Sequence, residues 1–125
     1  MFWVWEHTDD YSEYQKVYDS VAKAHKKVQE SAKPGMKAHE LDKIARDSIS
    51  DDGYGDYFTH STGHGVGLDI HEQPWINKTS DAILKEWMVF TIEPGIYLPG
   101  RFWVRLENIV FMGKNWVECV SEIVI

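Results

Sequence analysis

Three of the six histidines fall within twelve residues, in the run His60-Ser61-Thr62-Gly63-His64-Gly65-Val66-Gly67-Leu68-Asp69-Ile70-His71-Glu72. Glycines flank His64 on both sides, so the backbone there can come close to a ligand. Downstream, Glu93 lies in Phe90-Thr91-Ile92-Glu93-Pro94-Gly95 and Glu107 in Val104-Arg105-Leu106-Glu107. One neutral imidazole and two carboxylates form an oxygen-rich ligand set. It suits Mn²⁺, Co²⁺ or Fe²⁺ better than the Cys- and His-rich sites of structural zinc, and the expected role is catalytic.

Each of these residues also has a plainer reading. An imidazole in a glycine-rich loop commonly makes one satisfied hydrogen bond, and His7, His25 and His39, on or near helices, are read that way. Arg105 and Glu107 are two apart in a strand and share a face. Taken alone they read as an exposed salt bridge of small worth; in a cleft, Glu107 would bind a cation while Arg105 fixed a carboxylate or supported the strand. Glu93 resists the plain reading. It ends an apolar strand, where an ionised carboxylate needs a counter-ion, a metal or a shifted pKa.

The elements that must hold these groups are helical first and stranded second. From Asp9 to about Ser31, Tyr11, Tyr14, Tyr18, Val21 and Val28 follow a three-and-four spacing, with Thr8 as N-cap. Pro34-Gly35 ends that helix. A second, from about Ala38 to Ser50, is expected to bury Leu41, Ile44, Ala45 and Ile49 and to stop at Asp52-Gly53. Met88 to Ile92 and Val104 to Phe111 read as two antiparallel strands, with a turn at Leu98-Pro99-Gly100 between them.

Composition narrows the classes further. A chain of 125 residues is one domain, and a net charge of −7 disfavours nucleic acid as a partner. No apolar run is long enough to span a membrane, and Met1 to Trp5 lacks the features of a signal peptide, so a cytoplasmic location is expected. The single Cys119 reads as a small packed hydrophobe.

From Thr8 to Glu122 the combination of these motifs resembles the pita-bread metallopeptidases, which include methionine aminopeptidases, Xaa-Pro aminopeptidases and prolidases. The resemblance implies an α+β fold, the C-terminal half of a pita-bread fold with two helices packed on a curved antiparallel sheet. It implies His64, Glu93 and Glu107 as metal ligands, Glu107 bridging two ions. It also implies that His71 contacts the substrate carbonyl and that Glu93 takes part in proton transfer. His60, four residues before His64, together with Thr91 to Tyr97 and Arg105-Leu106-Glu107, looks more like the Xaa-Pro branch than the methionine branch. The implied activity is hydrolysis of the N-terminal bond of a peptide substrate by a water activated on two divalent metals, Mn²⁺ or Co²⁺, with Zn²⁺ or Fe²⁺ as alternatives. His60, His71, Glu93 and Arg105 are the expected catalytic residues.

Two departures from that family stand out. Two aspartate ligands from an upstream hairpin have no counterpart within 1–125. The chain is therefore expected to be a partial catalytic domain that binds metal weakly or as a single ion, is inactive alone, and can self-associate through exposed edges. A non-catalytic peptide- or protein-binding module is the alternative. Further, Trp5, Trp87, Trp103 and Trp116 stand where the family pattern leads one to expect glycine. A UGA codon read as glycine in the source organism and translated as tryptophan would account for all four. An engineered sticky surface, or plain tolerance of tryptophan, are the other accounts.

Overall fold

The computed structural model describes residues 2–5, 11–66 and 72–120. His7, Thr8, Asp9 and His71 lie outside the described residues. The elements in chain order are β1 (Phe2–Trp5), α1 (Tyr11–Ser31), α2 (Ala38–Asp51), a 3₁₀ turn (Gly55–Tyr57), β2 (Gly63–Gly65), β3 (Glu72–Ile76), β4 (Val89–Ile92), β5 (Gly95–Leu98), β6 (Phe102–Leu106), β7 (Asn108–Met112) and β8 (Val117–Cys119).

Helix α1 buries Val17, Ser20, Val21, Ala24 and Val28, a stripe spaced by three and four residues. That stripe is rotated from the expected face. Tyr11 is 68% exposed, while Tyr14 and Tyr18 sit at the margin of the core, with the Tyr14 ring 5.9 Å from Phe102. The tyrosines have the spacing of a core face but carry hydroxyls, and the smaller aliphatic residues beside them pack closer to α2. Helix α2 begins where the Lys37 amide donates to the Glu40 carboxylate (2.9 Å), and it buries Leu41, Ala45 and Ile49, with Ile44 only partly covered. It stops at Asp52-Gly53, where Gly53 takes φ +90°, a conformation a side chain disfavours.

All strand pairs are antiparallel and form two sheets, β1-β6-β5 and β3-β2-β4-β7-β8. The expected single strand from Val104 to Phe111 is cut at Glu107. Its first part belongs to the smaller sheet and its second to the larger. The alternation of side chains continues through the break, so the change of sheet leaves no mark in the hydrophobic pattern. The same crossing occurs in the opposite direction between β4 and β5, at Glu93-Pro94. Apolar residues of both sheets, among them Phe90, Ile92, Ile96, Phe102, Val104 and Val110, join the helix stripes in one core. Among the described residues no helix is long and apolar enough to cross a membrane.

Of the four tryptophans that stand out in the sequence, only Trp87 has a positive φ, at +76°. It is 72% exposed, with its ring edge-on to Phe111 at 5.5 Å. Trp5 and Trp103 pair with each other inside β1 and β6, and the Trp103 ring stacks on Tyr97. Trp116 is exposed beside β8 without positive φ. A backbone that favours glycine is therefore present at Trp87 and absent at Trp5, Trp103 and Trp116.

Candidate metal centre and cleft

The cleft is built where the two sheets exchange strands. Glu93 directly follows β4, Glu107 directly follows β6, and the two crossing segments lie opposite each other because Ile92 pairs with Asn108 and Gly95 with Arg105. His64 enters from the neighbouring strand β2. That strand sits so close to β4 that a Cβ at Gly63 would run into the Thr91 carbonyl oxygen, which is the physical reason for glycine there. A cleft of about 450 Å³ opens over this junction, lined by His60, Ser61, His64, Trp75, Glu93 and Arg105.

His64 is buried, and its Nδ1 lies 2.8 Å from the Gly65 carbonyl. A carbonyl oxygen only accepts, so Nδ1 carries a proton; Nε2 faces Glu93 Oε2, 3.6 Å away, and in a neutral ring it does so with its lone pair. That Glu93 oxygen is buried and makes no hydrogen bond. Two acceptors facing each other at this distance require a proton or a cation between them.

Glu93 and Glu107 also act on each other, two like charges that a proton or a cation would relieve. Burial, followed by the negative charge of Glu107, pushes the Glu93 carboxyl above its usual range; a hydrogen bond from Thr91 opposes the shift. Thr91 does two things at once. Its hydroxyl accepts from the His64 amide (3.0 Å), and the same hydroxyl favours the ionised form of Glu93, so one residue acts on both candidate ligands.

The donor set therefore fits a divalent cation. Its chemistry is one imidazole nitrogen and two carboxylates, and a buried oxygen of that set is left unmatched. Among the described residues, however, no group of three or more His, Cys, Asp or Glu side chains is disposed to hold an ion. The three candidates meet pairwise, His64 with Glu93 and Glu93 with Glu107, without closing around one point.

Arg105 and Glu107 are partly buried at the cleft and lie 3.5 Å apart. The exposed salt bridge expected from the isolated pair is thus corrected: the crossing at Glu107 turns both side chains inward. The Arg105 charge also acts on the Tyr97 hydroxyl, opposing the effect of its burial. His60 lies at the same mouth. Its Nδ1 donates to the Ser61 carbonyl (2.6 Å), so Nε2 accepts from the Tyr97 hydroxyl (3.0 Å). Burial lowers the His60 pKa and raises that of Tyr97. In this state His60 has no donor left for a substrate.

Tyr97 and Thr91 were not singled out by the sequence reading. A hydroxyl in a β-branched or aromatic strand residue is indistinguishable from strand filler until its partners are known. Of the histidines read as structural, His39 lies 3.5 Å from Asp81. Cys119 is partly buried and accepts from the Asn108 amide group.

Residues 1–114 match the family model described as metallopeptidase family M24. A Xaa-Pro dipeptidase from Pyrococcus furiosus is 54% identical over 108 residues, covering 86% of this chain and 31% of that protein. The solved prolidase from Pyrococcus furiosus superposes with a TM-score of 0.87 at 50% identity, over 88% of this chain and 33% of that one. An X-Pro aminopeptidase from Thermotoga maritima gives a TM-score of 0.85 at 40% identity, over 93% and 32%. The chain spans about a third of the length of the relatives it matches. Its two helices on antiparallel sheet match the pita-bread fold of those prolidases. The chain belongs to metallopeptidase family M24.

Proposed function

We propose that this member of family M24 carries the metal-facing wall of a Xaa-Pro-type peptidase, which hydrolyses the N-terminal bond of a short peptide. The observation that supports the reading is the approach of His64 Nε2 to the buried Glu93 Oε2, 3.6 Å apart, with the charge of Glu107 acting on the same carboxyl. The relatives named dipeptidase and prolidase supply the substrate class.

His64, Glu93 and Glu107 would hold the metal. When bound, a divalent ion supplies a water acidified toward neutral pH and a positive charge near the carbonyl oxygen. The protein's own residues do the rest. Glu93, as the family resemblance implies, would pass a proton from the attacking water to the leaving amine. Arg105 orients Glu107 and presents a guanidinium edge to the cleft, where it can fix a substrate carboxylate. His60 donates to the substrate once its ring proton moves from Nδ1 to Nε2, giving up the bonds to Ser61 and Tyr97, and His71 supplies the second hydrogen bond to the carbonyl. Mn²⁺ or Co²⁺ suits the donor set, and with the three ligands meeting only pairwise the isolated chain binds a single ion weakly.

The test is titration of the chain with Mn²⁺, alone and with a separate segment bearing two aspartates on a hairpin, followed by assay on a Xaa-Pro dipeptide. Turnover on complementation, lost in His64→Ala and Glu93→Gln, is the expected result. Dipeptide binding that ignores both metal and these substitutions would favour a non-catalytic binding module instead.

A further inference from the structure

Away from the cleft, helix α2 carries a buried ion pair that the proposed chemistry does not use. Asp42 is 1% exposed and lies four residues before Arg46, whose Nε donates to Asp42 Oδ2 at 2.6 Å. The remaining edges of both groups are aimed at one loop. Arg46 Nη1 donates to the Phe58 carbonyl (3.0 Å) and Nη2 to the His60 carbonyl (2.6 Å), while the guanidinium lies 4.3 Å over the Phe58 ring. Asp42 Oδ1 accepts from the Thr62 hydroxyl (2.8 Å) and amide (3.3 Å). The Thr62 carbonyl in turn accepts from the Glu93 amide at 2.6 Å.

We propose that Asp42 and Arg46 are positioning residues for the cleft: the pair clamps residues 58–62, and through them sets where the His60 ring and Glu93 stand. The proposal rests on the reading of the cleft as a metallopeptidase site, but the clamp is built from contacts that can be tested without it. A helix needing only an internal pair would be served by one Nε contact. Here three guanidinium nitrogens and both carboxylate oxygens are spent, and four of the five hydrogen bonds, all but the one within the pair, reach the loop. A guanidinium is suited to this because its planar fork meets several carbonyls in fixed directions; a lysine ammonium keeps the charge and loses the fork. Within the loop the Phe58 ring makes a T-shaped contact with His60, and Arg46 covers that Phe58 ring as well.

The experiment uses the 125-residue chain, metal-free, and reads the ring ¹⁵N spectrum of His60 together with Mn²⁺ affinity measured separately. In the unmutated chain His60 is expected to show a fixed Nδ1–H tautomer. Arg46→Lys and Asp42→Asn should replace it with an averaged spectrum and weaken Mn²⁺ binding about tenfold. Leu41→Ala removes buried volume from the same helix without touching these hydrogen bonds, and should lower the melting temperature while leaving the His60 spectrum unchanged. Equal disturbance of His60 in Leu41→Ala and Arg46→Lys would reduce the pair to general stability and overturn the proposal. So would an unchanged His60 ring in Arg46→Lys.

Should the variants fail to fold, exchange in the unmutated chain decides. The Arg46 Nε–H must be protected relative to that of Arg101, and rapid exchange there would overturn the clamp. If the unmutated chain binds no Mn²⁺, the metal reading fails, and the His60 comparison still decides the clamp.

Discussion

Two carboxylates joined through Thr62, one by its hydroxyl and the other by its carbonyl, are treated in opposite ways. Asp42 on α2 has both oxygens matched, one by Arg46 and one by Thr62. Glu93 at the end of β4 keeps one oxygen buried without a hydrogen bond, faces a histidine lone pair, and has a second carboxyl against it. A fully satisfied buried charge gives a fixed geometry. An unsatisfied one stores a demand for a proton or a cation, and that demand is what makes a site. The contrast separates the part of the molecule that positions from the part that reacts.

The sharpest way to break this comparison is to remove each carboxylate. Asp42→Ala leaves Arg46 buried without its partner and should cost about 3 to 5 kcal/mol of unfolding free energy, read by urea denaturation. Glu93→Gln should do the reverse in kind: the metal-free fold changes by about 1 kcal/mol or less, in the stabilising direction, while Mn²⁺ affinity falls a hundredfold or more, about 2.7 kcal/mol. If both substitutions destabilise alike, the distinction between the two carboxylates is wrong.

A pH series sharpens the same point. The folded-state pKa of Glu93 lies above its unfolded value, so the folded protein binds the extra proton. Its contribution is present at low pH and lost as pH rises from the ordinary glutamate range toward the raised value. His60 is shifted the other way, down by burial, so its contribution is lost as pH falls below the ordinary histidine range. The difference in stability between the unmutated chain and Glu93→Gln isolates the first effect, and it should grow in favour of the variant with increasing pH in metal-free buffer.

The smallest effect is expected at Trp87. Trp87→Gly and Trp87→Ala both lose the contact with Phe111, but only glycine relieves the positive φ. The glycine variant should therefore be the more stable by about 1 kcal/mol in thermal unfolding.

How much of this was legible depends on the kind of signal each residue leaves. The two helices were legible within a residue or two, because α2 has apolar periodicity and is bounded by Pro34-Gly35 and Asp52-Gly53. His64 was legible because glycines and histidines rarely crowd together, and Glu93 because a charge at the end of an apolar strand is anomalous. The Asp42–Arg46 clamp was hidden although its i,i+4 spacing is plain, since its targets are backbone atoms 12 to 20 residues away. Strand β3 contains Pro74, β5 opens on Gly95 and β8 is 3 residues long, all weak strand signals, and the change of sheet at Glu107 leaves the alternation of side chains unbroken.

That change of sheet has a mechanical side. Glu93 and Glu107 occupy the two places where the chain steps between sheets, so any repulsion between them acts as a wedge driven into a hinge line. A ligand of the right charge would work as a rivet through the same line, and the stiffness of the whole sheet pair would then report on occupancy. Loading this chain with Mn²⁺ should therefore slow amide exchange along β5 and β7, which lie outside the cleft wall itself.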